Sequence, residues 1–385
     1  MKKDITFIYS DSAEKALYQP IYEEAEKRGY KVRMTENPFE KCEIGFYCQH
    51  INHPQYSKFS LIMLHDIIQQ YSNWPDIWFR EPWSKYDIGI LPSDQWQDNW
   101  VKSSAFFYSN PRKGVFKAGW PKADAIQKLI NVDYRREFYL KHSLNPDKRT
   151  VLYAPAWEND NKEDDFVKAV LPLNVNLIIK QWDANPEKFP TQVENVRKMK
   201  QIHENIPGVV ILPPETNIFV AIAASDILVS EESSTMCEAT MMGIPAVSVS
   251  DWLIPDVTPS RLPKCDYDFV YMTTRGELGN TIRQIITNYG EYKRKTEEFC
   301  KKNFCNIGMT SSIIMDIVDD CVMGRAIRKE SIQPLPHKRL GFRRFLKFKV
   351  GQFRREAVTN YSVNNKLFGF MWKGLSKVKR KILRQ

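Results

Sequence analysis

The most informative absences in this sequence concern membrane spans, cofactor motifs and paired cysteines. No run of 18 or more apolar residues occurs, so no bilayer-spanning helix is predicted. The seven cysteines form no C-x-x-C pair and have no matching histidine pair, which favours reduced thiols in a cytosolic compartment over disulfides or zinc. The G-x-G-x-x-G fingerprint is also missing, so no dinucleotide cofactor is predicted. No motif requires a metal, and the D-x-D motif at Asp266 to Asp268 is interpreted as a surface turn.

Acidic residues are scarce in the last part of the chain. Of 56 basic and 46 acidic residues, the segment from Lys338 to Gln385 holds 15 basic residues and a single acid, Glu356. The preceding 337 residues therefore carry 41 basic against 45 acidic side chains. This distribution argues against a nucleic-acid groove across the body and predicts a basic tail that binds an anionic surface.

Short apolar runs alternate with amphipathic segments along residues 1–330, which predicts an α/β fold with parallel sheets and Rossmann-like winding. The N-terminal run Ile5–Tyr9 is interpreted as a first strand rather than a signal peptide. We place an N-terminal Rossmann-like domain at 1–145, a C-terminal Rossmann-like domain at 146–330 and a basic tail at 331–385. Predicted strands are Ile5–Tyr9, Lys31–Met34, Glu43–Tyr47, Leu61–Leu64, Ile88–Leu91, Gly114–Gly119, Thr150–Ala154, Val175–Lys180, Val209–Leu212, Ile227–Val229 and Ile244–Val249.

The stretch from Ala224 to Trp252 reads as strand, sharp loop, helix and strand, and it is the strongest candidate for a binding site. Ser233 or Ser234 is predicted to cap the helix, whose amino end would face the crevice at the strand ends and attract a phosphate. Glu238, one turn later, is placed to accept ribose hydroxyls. The competing interpretation is that the serines only cap the helix and that Glu238 only faces solvent.

Other candidate residues follow predicted strands of the first domain. His65 closes the strand Leu61–Leu64, where α/β folds place their chemistry. The simpler alternative is a histidine that is only bonded locally, to Asp66 or to backbone. Lys122 lies in the turn after the strand Gly114–Gly119. The aromatic-rich segment from Gln69 to Trp100 either stacks on a sugar or base or forms a satellite core.

Two basic amphipathic helices are predicted in the tail. The first carries Phe342, Phe345, Leu346 and Phe353 near one face, and the second spans Leu367 to Leu383. Such helices lie flat on anionic bilayers. Packing on the domains and RNA binding are the alternatives.

Four collinear motifs resemble the CDP-glycerol glycerophosphotransferase family, the group of teichoic-acid primases and polymerases. Residues 151–157 read V-L-Y-A-P-A-W, similar to the family's Y-A-P-T-W, and residues 119–124 read G-W-P-K-A-D, similar to G-x-P-R-x-D. Residues 225–234 read S-D-I-L-V-S-E-E-S-S, similar to S-D-x-L-I-T-D-Y-S-S, and residues 243–245 read G-I-P, similar to G-K-P.

The resemblance implies a GT-B-type fold and transfer of glycerol phosphate or a related polyol phosphate from a CDP-linked donor to a lipid-linked or glycan acceptor. It implies a peripheral enzyme on the cytoplasmic face of the membrane, with no cofactor beyond the donor. His65 takes the place of the family's suspected general base. The donor-binding residues that it implies are Ser233, Ser234, Glu238, Lys122, Lys180 and Glu231.

The chain departs from the family pattern next to two of these positions. Asp66 replaces the glycine that follows the family's first histidine. The second family histidine, in a K-x-H-P segment, is expected after Lys180, where this chain has Gln181, Trp182 and Asp183. A nucleotide-sugar glycosyltransferase in capsule or lipooligosaccharide synthesis is therefore the first alternative. A non-enzymatic adaptor with an inactive body is the second.

Overall fold

The protein consists of two α/β domains, each built on a six-stranded parallel sheet. A computed structural model describes residues 4–48, 52–68, 76–129, 132–231, 233–252 and 270–364. The first sheet has the order β2-β1-β3-β4-β5-β6 and the second the order β12-β11-β10-β7-β8-β9. The strands are β1 Asp4–Ile8, β2 Lys31–Thr35, β3 Cys42–Tyr47, β4 Ser57–Met63, β5 Ile88–Leu91, β6 Val115–Lys117, β7 Thr150–Tyr153, β8 Asn176–Lys180, β9 Val209–Leu212, β10 Ile227–Ser230, β11 Ala246–Val249 and β12 Val270–Thr273.

Helices flank both sheets. They are α1 Ser12–Lys27, α2 Asp94–Ser104, α3 Ile126–Leu129, α4 Val132–Lys141, α5 Lys162–Val170, α6 Pro190–His203, α7 Ile218–Ala223, α8 Thr235–Met241, α9 Leu278–Thr287, α10 Tyr289–Asn303, α11 Thr310–Val322 and α12 Phe342–Asn364. Strands such as β5, β7 and β10 are buried along their whole length, as expected for parallel strands covered on both faces.

The predicted α/β class with two Rossmann-like domains is confirmed, and each predicted strand has a counterpart. Strand β12 was not predicted. It is only four residues long, and its place in the fold depends on pairing with β11 through registers such as Ala246 with Val270. A run this short carries little periodicity of its own, so tertiary pairing decides its structure.

The last helices return to the first domain. Asp124 accepts hydrogen bonds from the backbone N–H groups of Thr310 at 2.8 Å and Ser311 at 2.7 Å, and so caps α11 from a turn almost 190 residues earlier. Arg28, at the end of α1, forms ion pairs with Asp316 at 2.7 Å and Asp319 at 2.9 Å on α11. Helix α11, within the predicted domain 146–330, therefore packs on the first domain.

Helix α4 makes the opposite crossing. Arg135 forms an ion pair with Asp226 of the second domain at 2.8 Å, and the hydroxyl of Tyr134 donates to the carbonyl of Val220 at 3.2 Å. Helix α4, within the predicted domain 1–145, therefore contacts the second domain.

Helix α12 packs on the first domain through one face. Phe348 is buried against a group of aromatic rings from that domain, and Arg344 forms an ion pair with Asp76 at 3.1 Å. The rings around Phe348 are those of Phe79, Phe107 and Tyr108. The second predicted tail helix, Leu367 to Leu383, lies outside the described residues. Within the described ranges, no helix is both long enough and apolar enough to cross a bilayer.

The aromatic segment after His65 forms part of the core. Trp78, Trp83, Trp96 and Trp100 are each at most 1% exposed. Trp78 packs edge to face on both Trp83 and Trp96, with ring centroids 5.7 and 6.0 Å apart. The satellite-core interpretation is therefore correct for these rings. The part of the segment from Gln69 to Trp74 lies outside the described residues.

Candidate functional site

A cleft of about 1470 Å³ lies between the two domains, where the carboxyl ends of their strands meet. Open α/β sheets bind ligands at this edge, next to the point where the strand order reverses, which in the second sheet is between β7 and β10. Six of the seven predicted site residues line the cleft. These are His65, Lys122, Lys180, Ser233, Ser234 and Glu238.

Glu238 is the most deeply placed of these residues. Its Oε1 atom accepts a hydrogen bond from Trp120 Nε1 at 3.0 Å and forms an ion pair with Lys122 Nζ at 2.6 Å, so both partners come from the other domain. The side chain is fully buried, and Oε2 has no hydrogen-bond partner within the described part of the chain. A buried carboxylate oxygen without a donor is costly, and a hydroxyl group of a ligand would satisfy it.

Lys180 lies at the end of β8, close to the Lys122–Glu238 pair. Burial and, second to it, the positive charge of Lys122 together lower the pKa of its ammonium group to about 8. The negative charge of a bound diphosphate would offset the repulsion between the two lysines and favour their charged forms. The two lysines and the single carboxylate leave this end of the cleft suited to an anion.

Ser234 joins the two domains. Its hydroxyl is hydrogen-bonded to the Asp66 carboxylate of the first domain and accepts a bond from the backbone N–H of Ile67 at 3.1 Å. It makes no capping bond to α8, so of the two serines predicted as caps its side chain does not act as one. The reason is its backbone, since φ −54° and ψ −24° are helical, whereas an N-cap residue is usually extended. Ser233 instead accepts a bond from the N–H of Thr235 at 3.3 Å.

The bond between Asp66 and Ser234 brings His65 to the start of α8. His65 is half-buried, lies two residues past the end of β4 and borders the same cleft as Glu238 and both lysines. Helix α8 has only seven residues, so the charges of Lys122 and Lys180 are the stronger attraction for an anion here. The catalytic and donor-binding roles of these side chains stay predictions.

Glu231 lies behind the cleft wall rather than on it. Its Oε1 atom accepts hydrogen bonds from the backbone N–H groups of Ala156 at 3.0 Å and Trp157 at 3.1 Å, and from Lys162 Nζ at 2.9 Å. Lys162 and Glu231 are both at most 1% exposed. Glu231, which was predicted to bind the nucleotide donor, is therefore placed where it supports the Pro155–Trp157 loop.

A buried polar network lies behind Lys180 and was missed by sequence reasoning. Gln181 Nε2 donates to Glu158 Oε2 at 2.8 Å and also to Glu163, and His203 Nδ1 lies 2.8 Å from Glu163 Oε1. Burial raises the pKa of Glu158 to about 7. The sequence signal was the acidic run from Glu158 to Asp165, which reads as a solvated loop unless its partners on α6 and after β8 are known.

No group of three or more His, Cys, Asp or Glu side chains is placed to hold a metal ion in the ranges that the structure covers. The D-x-D motif of the sequence falls outside them.

No protein-family model and no curated protein matches the sequence. Solved structures do match in fold. One is a variant of the wall teichoic acid polymerase TagF, at 15% identity and a TM-score of 0.60, covering 84% of this chain and 89% of that chain. Another is the S. aureus MnaA–UDP co-structure, at 13% identity and a TM-score of 0.56, covering 86% and 99%. A third is UDP-GlcNAc 2-epimerase from Neisseria meningitidis bound to UDP-GlcNAc, at 16% identity and a TM-score of 0.56, covering 83% and 100%.

Enzymes of these kinds share two Rossmann-like domains around a central cleft. The fold is GT-B. The fold that the sequence motifs implied is therefore confirmed. At these identities the likeness establishes the GT-B architecture alone.

Proposed function

We propose that the protein is a transferase that moves glycerol phosphate, or a related polyol phosphate, from a CDP-linked donor to a lipid-linked or glycan acceptor. The observation that carries this proposal is the meeting of Lys122, Lys180 and the half-satisfied Glu238 with His65 in one cleft. The fold shared with the teichoic acid polymerase and the collinear motifs support the same class of reaction.

Each group has a role in this proposal. Lys122 and Lys180 bind the diphosphate, and Glu238 Oε2 accepts a ribose hydroxyl. An acceptor hydroxyl attacks the β-phosphorus of the donor in line with the departing CMP. His65 takes the hydroxyl proton, for which an imidazole suits near-neutral pH. The bond between the acceptor oxygen and phosphorus forms as the bond between phosphorus and the bridging oxygen of CMP breaks.

The second candidate is a glycosyltransferase of the same fold that uses a nucleotide sugar. The observation that favours it is Trp182, which borders the cleft where the resemblance expects a histidine. The epimerase structure bound to UDP-GlcNAc, which shares the fold, shows that this fold accommodates a nucleotide-linked sugar in another protein.

Incubation of the purified full-length chain with radiolabelled CDP-glycerol, and with a panel of nucleotide sugars, tests the proposal. The expected result is release of CMP and transfer of label to a lipid-linked acceptor. Release of UDP or GDP without CMP would replace the first candidate with the second. No turnover with any donor would favour the non-enzymatic adaptor.

His65→Asn tests the general base. We expect kcat to fall by about 10²- to 10⁴-fold while donor affinity changes little, because the variant keeps a polar side chain of similar size. His142→Asn, directly after the end of α4 and outside the cleft, is the matched control. A His65→Asn enzyme as active as the control would remove His65 from the mechanism.

We also propose that α12 docks the protein on an anionic membrane. Its inner face is held by Phe348, while Phe342 and Phe353 are 79% and 72% exposed. Arg343, Lys347 and Arg354 lie beside these rings and are exposed. An open face that combines aromatic and basic side chains suits the interface of an acidic bilayer.

Co-sedimentation with vesicles that contain anionic lipid tests this docking. The double variant Phe342→Ser, Phe353→Ser is expected to pellet several-fold less than wild type. Ile202→Ser, at an apolar site on α6 that is 55% exposed, is expected to pellet like wild type. Full pelleting of the double variant would locate membrane binding elsewhere.

A further inference from the structure

Two tryptophans differ from the others that the structure describes. Trp78, Trp83, Trp96, Trp100, Trp120 and Trp252 are each at most 4% exposed. Trp157 and Trp182 are only half-buried, and both border the interdomain cleft. Large aromatic surface left open inside a concave site is typical of a ligand-binding wall rather than of a core.

The two indoles form one corner together with Phe189. The ring centroids of Trp157 and Trp182 are 5.0 Å apart at an interplanar angle of 69°, and Phe189 lies 4.8 Å from Trp182 and 5.5 Å from Trp157. In this edge-to-face arrangement the rings hold one another in place, and the cleft side of the corner keeps an aromatic surface for a further ring.

The backbone around the corner is held from behind. Trp157 N–H donates to Glu231, and its carbonyl accepts from Lys162 Nζ at 3.0 Å. Ser12 Oγ of the first domain donates to the carbonyl of Asp183, next to Trp182, at 2.6 Å. Both rings therefore stand on loops fixed before a ligand arrives, and such preorganisation lowers the cost of binding.

The corner adjoins the charged end of the cleft. Lys180 precedes Trp182 by two residues, and Lys180, Lys122 and Glu238 border the same cavity. If the phosphates of a ligand bind the lysines, a group attached to those phosphates would lie against the corner. An apolar ring face suits this wall better than an extended polyol chain, since hydroxyl groups laid against indole carbon lose their hydrogen bonds.

We infer that the corner of Trp157, Trp182 and Phe189 is a stacking site for a ring of the nucleotide-linked donor. The ring is either the nucleobase or a ring in the transferred group, and both offer a flat or apolar face to an indole. This inference rests on the proposed use of a nucleotide-linked donor and adds a specificity-determining residue, Trp182, to it.

Isothermal titration of the full-length protein with four probes tests the stacking site. The probes are CMP, UMP, CDP-glycerol and UDP-N-acetylglucosamine. We expect Trp182→Ala to weaken by about tenfold the binding of each probe that places a ring on the corner, the usual scale for a lost aromatic stack. Trp182→Phe is expected to recover most of the affinity. The matched control is Tyr292→Ala, which removes a partly buried ring outside the cleft.

The pattern of losses identifies the ring. An equal loss for all four probes assigns the corner to the base, whereas a loss confined to UDP-N-acetylglucosamine assigns it to the transferred group. If Trp182→Ala lacks a cooperative unfolding transition, Trp182→Leu keeps apolar bulk without the aromatic face and takes its place. Wild-type affinity in the variant for every probe would overturn the stacking site alone. Failure of the wild type to bind any probe would overturn the proposed donor as well.

Discussion

The loop after β10 and the helix α8 each contribute a buried glutamate, and the two glutamates have opposite surroundings. Glu231 is held by Lys162 and two backbone N–H groups of its own domain, all behind the cleft wall. Glu238 is held by Trp120 and Lys122 of the other domain and borders the cleft. Each uses Oε1 for these contacts, and neither Oε2 has a hydrogen-bond partner within the described residues.

The comparison shows that a buried glutamate takes a structural or a ligand-binding role according to its partners. Lys162 is completely buried, so the Lys162–Glu231 pair is closed to ligands and fixes the loop that carries Trp157. Lys122 is 19% exposed and lies on the cleft, so the Lys122–Glu238 pair can exchange contacts with an anion. Substitution of Glu231 is therefore expected to affect stability most, and substitution of Glu238 to affect ligand binding most.

The largest expected effect is on the closed pair. Glu231→Gln leaves the Lys162 ammonium group buried without its counter-charge, so we expect the free energy of unfolding to fall by about 3–5 kcal/mol. Urea denaturation followed by circular dichroism measures it. Glu291→Gln, which removes an exposed ion pair with Lys295, serves as control and is expected to leave the urea midpoint unchanged.

The double variant Glu231→Gln, Lys162→Met removes both charges, keeps an acceptor for the N–H groups of Ala156 and Trp157, and is expected to recover most of this loss. If Glu231→Gln is as stable as the Glu291→Gln control, the Lys162–Glu231 pair does not stabilise the fold.

An intermediate effect is expected from pH on the network next to this pair. Burial raises the pKa of Glu158 from 4.5 to about 7, so the folded protein binds an extra proton between these values. Its contribution to stability is complete below pH 4.5 and is lost as pH rises through 7. Burial lowers the pKa of His203, but its bonds to Glu163 outweigh this and leave the pKa raised, which adds a loss in the same direction.

We therefore expect the free energy of unfolding to fall by about 1–3 kcal/mol between pH 5 and pH 8, since one pKa unit corresponds to about 1.4 kcal/mol. Glu158→Gln keeps an acceptor for Tyr153 and Gln181 and is expected to flatten this dependence, leaving only the part due to His203. Equal slopes for variant and wild type would assign the pH dependence to other groups.

The smallest effect on stability is expected at the open pair. Glu238→Gln can still accept the Trp120 bond, and Lys122 can reach solvent, so we expect a loss of only about 1 kcal/mol. Nucleotide binding is expected to weaken by about tenfold, as measured by titration with CMP. The comparison would be contradicted if Glu231→Gln impaired only binding and Glu238→Gln impaired only folding.

The two sheets and the cleft were predictable because their signals are local. Strands such as Ile88–Leu91 are short apolar runs between turns, and His65, Lys180 and Ser233 lie at the ends of such runs or within three residues after them. In a parallel α/β fold the residues after strands share one edge, so their meeting follows from topology. The resemblance in four motifs added the arrangement of two facing domains, which periodicity alone does not contain.

The remaining features depend on partners far apart in the chain. Nothing near Glu231 indicates that Lys162, 69 residues earlier, occupies its carboxylate. Ser234 looks like a capping residue, but Asp66 of the other domain takes its hydroxyl. Likewise the aromatic segment containing Trp78 and Trp83 could equally have lined a groove until packing showed it buried. Such choices are made by tertiary contacts that single-sequence patterns do not record.

The cap that Asp124 provides for α11 has a consequence for biosynthesis. On a translating ribosome the whole second sheet, residues 150–273, emerges before Thr310 does. Until then the surface of α1 that packs against α11 has no cover. The first domain is therefore synthesised first but completed last. We expect chaperones to retain nascent chains that are stalled before α11.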